Sequence, residues 1–159
     1  MQSASACCRC KKGAENAETD QDIGLSRGGR NTKIHAVVDA LGNPVKLHLS
    51  PGNVHDCTVA IDVLDGVTLT GSLLIGDKAY GTLDIRNYIE SQGGSYCIPP
   101  KSNTKHPWDC DFYQYKERHA VECFFNKLKQ FRRVATRYDK LSRNFLSFAF
   151  LASAIILLK

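Results

Sequence analysis

The sequence predicts an α/β domain in which helices pack on a mixed β-sheet. Two observations carry this prediction: an alternating hairpin in the first third of the chain, and a later alternation of short apolar strands with helices. The hairpin implies antiparallel pairing, whereas strands separated by helices favour parallel pairing, so the sheet is expected to contain both. With 159 residues, 43% of them hydrophobic, the chain has apolar material for one globular domain.

The hairpin is expected to follow a polar segment. Residues 1–30 are small, polar and glycine-containing, and they predict an irregular arm before a domain spanning residues 31–159. Apolar and polar residues alternate from Lys33 to Asp39 and again from Val45 to Leu49, on either side of a Gly-Asn-Pro turn. Asp56 is then placed to cap a short helix.

Strands and helices alternate through the rest of the chain. Residues 73–75 are continuously apolar and predict a central strand covered on both faces. A helix is expected over residues 81–91 and a short strand over residues 95–98. A long helix is predicted from about residue 112 to residue 133. The apolar run ending at residue 158 is shorter than the roughly 20 residues that a membrane span needs, so it predicts a helix buried against the sheet.

The positive charge of the chain is concentrated toward its C-terminal part. The formal net charge is +5, and the local excess comes from Lys127, Lys129, Arg132, Arg133, Arg137, Lys140 and Arg143. Such a density of cations indicates a polyanionic partner, and a solvated helix face is the alternative interpretation.

The cysteines and the N-terminal sequence indicate a cytosolic protein. Seven cysteines, without a repeating spacing, are typical of reduced thiols. Cys7, Cys8 and Cys10 could bind a soft metal, although no partner stands nearby at zinc-site spacing. Residues 1–19 lack the apolar core of a signal peptide.

Polar residues form an ordered row on the predicted long helix. Tyr115, Arg118, Glu122 and Lys129 stand at offsets of three, seven and fourteen, which fall close to one line at about 3.6 residues per turn. A separate apolar stripe follows the helix at Val121, Phe124, Leu128 and Phe131. An acid flanked by bases usually forms surface ion pairs that contribute little stability, and this remains an alternative.

Asp77 is a second candidate carboxylate. It follows the predicted strand over residues 73–75, and ligands of α/β sheets collect beyond the carboxyl ends of strands. Position alone favours equally a capping role at the next helix.

Other candidate contacts lie in loops. Lys78 and Lys101 could touch phosphate, and a plain surface role is the alternative for both. Trp108 is expected to cover the edge of the core, with stacking on an unpaired base as its alternative.

Taken together, these residues resemble a known family. The pattern Y-x2-R-x3-E-x6-K at Tyr115, Arg118, Glu122 and Lys129 resembles the C-terminal signature of the DDE transposases of bacterial insertion sequences. Five further blocks resemble the same family in the same order: S-R-G-G-R-N-T-K-I-H-A-V-V-D-A-L-G-N-P (26–44), P-G-N-V-H-D (51–56), G-D-K-A-Y (76–80), I-P-P-K-S-N (98–103) and L-K-Q-F-R-R-V-A-T-R-Y-D-K (128–140). The resemblance is collinear from about Gly24 to the C-terminus.

The resemblance implies a ribonuclease-H-like fold in which three acidic residues hold two divalent metals, Mg²⁺ or Mn²⁺, that cut and rejoin DNA. Asp77 resembles the second acid and Glu122 the third, so both are expected to be catalytic metal ligands. The remaining candidates are expected to bind DNA: Tyr115, Arg118, Lys129, Arg132, Arg133, Arg137 and Lys140.

The resemblance also implies that one catalytic acid is missing from this sequence. In the family the first acid stands on a strand upstream of the S-R-G-G segment, and here no Asp precedes Asp20. Asp20, Asp22 and Asp39 do not occupy a matching position. In the ribonuclease-H-like sheet the missing strand lies between the hairpin and the strand that leads to Asp77.

We therefore expect the C-terminal catalytic portion of a transposase, without the first strand of its sheet and inactive alone. Its expected partners are double-stranded DNA and either a second copy or an upstream transposase segment, in the bacterial cytoplasm and without a membrane. A non-catalytic DNA-binding or transposase-inhibiting fragment is the alternative.

Overall fold

The structure is a computed structural model that describes residues 21–27 and 29–158. The Cys7, Cys8 and Cys10 cluster and most of the expected N-terminal arm lie outside the described residues. The elements follow one another as β1 (Gly24–Ser26), β2 (Gly29–Val38), β3 (Pro44–Pro51), α1 (Asp56–Leu64), β4 (Leu73–Ile75), α2 (Leu83–Ser91), β5 (Ser95–Cys97), α3 (Phe112–Tyr115), α4 (His119–Leu128), α5 (Arg132–Ala135) and α6 (Ser142–Leu157). Two short 3₁₀ turns, Lys78–Tyr80 and Lys116–Arg118, connect some of these elements.

The fold is α/β as predicted, but the strands form two small sheets rather than the single mixed sheet that was expected. β1, β2 and β3 pair antiparallel, and the β2–β3 register sets Ile34 opposite Leu49 and Ala36 opposite Leu47. β4 and β5 pair in parallel. The crossover between them is α2, which begins at the N-cap Thr82 and is followed by Gly93 at a φ of +73°. A left-handed φ of this kind is one that glycine adopts without steric cost.

The prediction of an irregular arm up to residue 30 is wrong for the described residues, which form β-strands there. β1 covers residues 24–26, and β2 begins at Gly29 rather than near Lys33. β1 and β2 pair as neighbours along the chain, with Ser26 opposite Gly29, whose φ is +98°. This hairpin was not predicted because most of its side chains are exposed and polar, so the segment has no apolar pattern.

One edge of β2 pairs with no described strand. β1 pairs with residues 29–31 and β3 with residues 32–38, one after the other along β2. A Cβ built on Gly24 would lie 2.8 Å from the backbone nitrogen of Gly52, so β1 and the end of β3 occupy the same side of β2. Among the described strands, β4 also has a partner on one side only, which is β5. β4 was predicted to be central and covered on both faces, and this is corrected, since Leu73 is 42% exposed.

Two apolar clusters hold the helices to the two faces of the hairpin. We call the first the α4 cluster; its buried members are Leu47, Phe124, Leu128, Val134, Ala149 and Ala152. The second, the α2 cluster, comprises Ala60, Leu64, Leu69, Ile85, Ile89 and Ile98. Successive β2 side chains point to opposite faces, so Ile34, Ala36 and Val38 pack on the α4 cluster and Val37 packs on the α2 cluster. Each large side chain buried in this way contributes about 1.5–3 kcal/mol.

The predicted long helix over residues 112–133 is interrupted. Asp111 caps α3, a 3₁₀ turn replaces the α-helix at residues 116–118, and α4 ends at Leu128. Phe131 is extended, with φ −80° and ψ 105°, and starts α5 in a new direction that buries Val134. The predicted apolar stripe is retained at Phe124 and Leu128, because both residues lie within α4.

The last helix is confirmed and packs on the hairpin. It spans Ser142–Leu157 and buries Phe145, Ala149, Ala152 and Ser153. Among the described residues, no helix is both long and apolar enough to cross a membrane.

Candidate functional site

Asp77 lies just beyond the end of β4 and caps the turn that follows. Its Oδ1 accepts a hydrogen bond of 2.7 Å from the backbone nitrogen of Lys78, and the residue is exposed. The capping role expected as one alternative is therefore present. A carboxylate has about four acceptor positions on its two oxygens, so one capping bond is compatible with a further ligand.

Glu122 lies in the first turn of α4 and pairs with a cation. The distance from Arg118 NH2 to Glu122 Oε1 is 2.6 Å, and His119 Nδ1 lies 3.7 Å from Glu122 Oε2. The Glu122 side chain is 47% exposed, so the pair contributes modest stability but orients both groups toward solvent.

Tyr115 lies beside Arg118, and both candidate acids act on its pKa. The Arg118 guanidinium lies 5.5 Å from the centre of the Tyr115 ring. Burial raises the pKa of Tyr115, Arg118 opposes that rise, and the negative charges of Asp77 and Glu122 add to it. Arg118 therefore links Tyr115 to Glu122, and Asp77 is close enough to Tyr115 to add to the rise in its pKa.

Lys129 lies away from this group. It follows the C-terminal end of α4 and lines a cavity of about 370 Å³ together with Lys33, His35 and Asp56. Along the predicted row, Arg118 links Tyr115 and Glu122, and Lys129 follows at the C-terminal end of α4.

The cavity beside Lys129 follows the unpaired edge of β2. Four consecutive β2 residues, 32–35, line it. Because neighbouring side chains of a strand point to opposite faces, a cavity that touches all four must run along the strand edge. Its remaining lining comes from Tyr80 after β4 and from side chains of α4 and α5.

A buried polar cluster lies at this edge and was missed by the sequence analysis. His35 is 6% exposed, and its Nε2 lies 2.7 Å from Ser50 Oγ while its Nδ1 lies 3.4 Å from Tyr80 Oη. Burial lowers the pKa of His35 and raises the pKa of Tyr80 to about 12. The only sequence signal was a His on an otherwise apolar strand, which does not reveal its partners.

Asp56 was expected to cap α1, and this expectation is wrong. The N-cap is His55, whereas Asp56 stands in the first turn and accepts from Lys33 Nζ at 2.8 Å. The same lysine donates to the backbone oxygen of Val54, so it ties β2 to the start of α1.

Four of the predicted DNA contacts in the C-terminal part are exposed: Lys129, Arg132, Arg133 and Lys140. Arg133 stacks 4.3 Å above the ring of Phe148. Arg137 differs because its guanidinium is already used: Nε donates to Asp139 O at 2.9 Å, NH1 to Thr32 Oγ1, and NH2 to Lys140 O at 3.1 Å. These bonds join the loop before α6 to β2, so the contacts of Arg137 are structural.

Trp108 covers the edge of the core, as expected. Its Nε1 donates to the backbone oxygen of Ile98 at 2.7 Å, and the Arg86 guanidinium stacks 3.8 Å from its ring centre. Lys78 and Lys101 are both exposed.

The described acids do not assemble a metal site by themselves. Within residues 21–27 and 29–158, no three His, Cys, Asp or Glu side chains are grouped closely enough to hold a metal ion. Asp39 is engaged in its own turn, where Oδ1 accepts from the backbone nitrogens of Leu41 and Asn43 at 2.9 and 2.8 Å.

Comparison with known proteins identifies the family. A model described as "Transposase DDE domain" matches residues 8–107, and a second model with that description matches residues 74–159. A Brucella ovis protein named as a transposase for insertion sequence element IS6501 is 40% identical over 132 residues, which are 80% of this chain and 98% of that protein. The transposase for insertion sequence element IS1106 of Neisseria meningitidis serogroup B is 29% identical over 112 residues, 67% of this chain but 38% of that protein. No solved structure matches. The chain therefore belongs to the DDE transposase family of bacterial insertion sequences, and its α/β architecture is consistent with the ribonuclease-H-like fold of that family.

Proposed function

We propose that this chain supplies two acids, Asp77 and Glu122, to the strand-cleavage and strand-transfer site of an insertion-sequence transposase. The observation that carries the proposal is the position of Arg118, which pairs with Glu122 at 2.6 Å and lies 5.5 Å from the centre of the Tyr115 ring, while Asp77 is near enough to help raise the pKa of Tyr115. The two acids come from distant parts of the sequence, so their convergence on one phenol supports a shared site.

The donor set fits the divalent metals, such as Mg²⁺, that DDE transposase domains generally use. Asp77 and Glu122 offer the carboxylate oxygens that a hard cation prefers. Such ions, when bound, activate the attacking hydroxyl and stabilise the leaving oxygen at phosphorus. With two acids and no third ligand among the described residues, we expect weak metal binding and little cleavage by these residues alone.

The protein's own side chains act on the phosphate. Arg118 holds Glu122 by the 2.6 Å ion pair and keeps further guanidinium donors for a phosphate oxygen. Tyr115 remains protonated at neutral pH and can donate a hydrogen bond to the same phosphate. The two groups would orient one segment of a transposon end beside the acids.

We also infer that an extended segment completes the sheet between β2 and β4. The unpaired edge of β2, the cavity along residues 32–35 and the one-sided pairing of β4 support this inference. Unpaired backbone donors and acceptors at such edges are costly when buried, so a strand inserted there would gain hydrogen bonds from both neighbours. That strand would also bring a third acid toward Asp77. The expected source is an upstream transposase segment, because this sequence carries no acid that matches the first one of the family.

The experiment is a transposition assay in bacteria that carry an element encoding this chain together with the upstream segment that would complete its sheet. We expect Asp77→Asn and Glu122→Gln each to lower the transposition frequency at least about a hundredfold, as the loss of a group that stabilises the transition state does. The matched controls are Asp62→Asn and Glu90→Gln, which alter exposed acids elsewhere on the surface. Unchanged transposition in the Asp77 and Glu122 variants would overturn the catalytic proposal.

A non-catalytic DNA-binding or transposase-inhibiting fragment is the second candidate function. The exposed cations Arg132, Arg133 and Lys140 favour it, because they can bind a DNA backbone without any acid. It predicts that the double variant Asp77→Asn, Glu122→Gln keeps both duplex binding and biological effect. Either function would be exerted on DNA in the bacterial cytoplasm.

A further inference from the structure

Two cysteine thiols lie close together between the end of β5 and the start of α3. Cys97 ends β5, and Cys110 lies in the loop before α3. Their Sγ atoms are 3.4 Å apart. Cys97 is 4% exposed, whereas Cys110 is only partly buried. Neither thiol has a part in the proposed strand-transfer chemistry.

The pair lies between the segment that leads to Asp77 and the cap of α3, the helix that precedes α4 in the chain. On one side, the backbone oxygen of Cys97 accepts from the nitrogen of Gly76 at 3.3 Å, directly before Asp77. On the other side, Cys97 Sγ lies 3.2 Å from the backbone oxygen of Asp111, the residue that caps α3. Cys110 is also among the groups that act on the pKa of Tyr115.

We propose that Cys97 and Cys110 are a redox modification site that forms a reversible disulfide when a peroxide oxidises the protein. The functional consequence rests on the proposed function: the bond would fix Tyr115 and Arg118 relative to Asp77. The chemistry itself depends only on the position of the two thiols.

The reaction balances with hydrogen peroxide as the oxidant. The Cys110 sulfur attacks one peroxide oxygen, the O–O bond breaks, and a sulfenic acid and one water result. The Cys97 sulfur then attacks the Cys110 sulfur and displaces a second water as the S–S bond forms. Two thiols and one peroxide thus give one disulfide and two waters, with two electrons passing from sulfur to oxygen. A dithiol reductant reverses the change.

The structure gives the two thiols different parts in this sequence. Burial raises the pKa of the Cys97 thiol, aided by its hydrogen bond with Cys110, so Cys97 is a poor first nucleophile. Cys110 is the more accessible sulfur and is oxidised first. Cys97 is then the resolving thiol, already in van der Waals contact with its target. A disulfide needs an S–S distance of about 2.05 Å, so the two sulfurs, now 3.4 Å apart, have to approach by about 1.4 Å.

The other described cysteines lack such an arrangement. Cys123 Sγ lies 3.1 Å from His119 Nε2, and Cys57 packs at the margin of the α2 cluster. In the part of the chain that the structure describes, no other two sulfurs are within hydrogen-bonding distance.

Peptide mapping tests the proposal directly. The full chain would be treated with a slight excess of hydrogen peroxide, alkylated and digested with trypsin without reductant. Cleavage after Arg86, Lys101, Lys105 and Lys116 places Cys97 in peptide 87–101 and Cys110 in peptide 106–116. We expect these two peptides to appear as one linked species that dithiothreitol separates. Cys97→Ser and Cys110→Ser should each abolish the species, whereas Cys57→Ser should leave it intact.

Two results would overturn the proposal. One is the absence of the linked species while Cys110 is driven to sulfinic acid, which would show that Cys97 does not resolve it. The other is an equal yield of links among all cysteines, which would indicate unfolding rather than a specific site. Because this readout needs no DNA and no metal, its failure is distinct from a failure of the transposition assay.

Discussion

At the scale of single residues, His35 shows how burial determines chemistry at the unpaired β2 edge. The ring is held between Ser50 and Tyr80, with Asp56, His48 and Lys33 also acting on its charge. Burial lowers the pKa most, His48 and Lys33 lower it further, and Asp56 partly offsets them. The folded protein therefore favours a neutral imidazole.

This shift predicts that the protein becomes less stable in mild acid. When the pKa of a histidine is lower in the folded state than its unfolded value of about 6.5, the unfolded state binds more protons in that window. The free energy of unfolding should therefore fall as the pH drops below about 6.5. Urea denaturation at pH 7.5 and pH 5.5 measures this difference.

The matched variants for this prediction are His35→Gln and His106→Gln. His35→Gln should lose most of the fall in stability between the two pH values, because no imidazole remains to be protonated. His106 is exposed, so its replacement should preserve that fall. A pH dependence that persists in His35→Gln would assign the effect to another group.

At the scale of elements, α4 joins the core to the candidate site. Its buried side, Phe124 and Leu128, packs into the α4 cluster, while its exposed side carries Glu122. Because the two sides belong to one helix, the packing of Phe124 fixes the orientation of the carboxylate. Stability and site geometry are therefore coupled through this element.

Truncating Phe124 should therefore be strongly destabilising. We expect Phe124→Ala to lower the free energy of unfolding by about 3–5 kcal/mol, since a side chain that is 1% exposed leaves a cavity in the cluster. Lys127→Ala, on the exposed side of the same helix, should change it by less than about 0.5 kcal/mol. Similar losses in both variants, measured by urea denaturation, would contradict the view that the buried packing of Phe124 is what holds α4.

The elements also show what could be predicted from sequence. The β2–β3 hairpin and α6 were predictable because their alternating or continuous apolar patterns are local. The interruption of the long helix was not, because the extended Phe131 is stabilised by packing on the α4 cluster, a tertiary contact. The Cys97–Cys110 pair could not be predicted for the same reason, because sulfurs thirteen positions apart meet only when β5 and the α3 cap are in place. Motif spacing indicated Asp77 and Glu122, but not that Lys129 stands apart from them.

At the scale of the whole molecule, the cations that could bind DNA lie on different elements. Arg118 pairs with Glu122 at the start of α4, whereas Arg132 and Arg133 are presented by α5. A DNA duplex that contacts both regions would be held by cations from several elements. Its affinity should then depend on the number of phosphates neutralised rather than on the net charge of +5.

Salt dependence of DNA binding separates these two possibilities. Each phosphate neutralised contributes about −0.9 to the slope of the logarithm of the binding constant against the logarithm of salt concentration. If both arginines contact phosphates, the double variant Arg132→Ala, Arg133→Ala should make the slope shallower by about 1.8 and weaken binding. Fluorescence anisotropy with a labelled duplex, over a series of salt concentrations, gives the slope.

The charge-matched control is the double variant Lys46→Ala, Lys105→Ala. It also removes two positive charges, but from other parts of the surface. Lys46 is engaged with the backbone oxygens of Asp62 and Asp65, and Lys105 lies in the loop after β5. We expect its slope to match that of the unchanged protein. If both double variants lost the same slope, binding would follow net charge alone, and α5 would have no defined place on the DNA. If only the arginine variant changed, α5 would be part of the surface along which the duplex reaches Asp77 and Glu122.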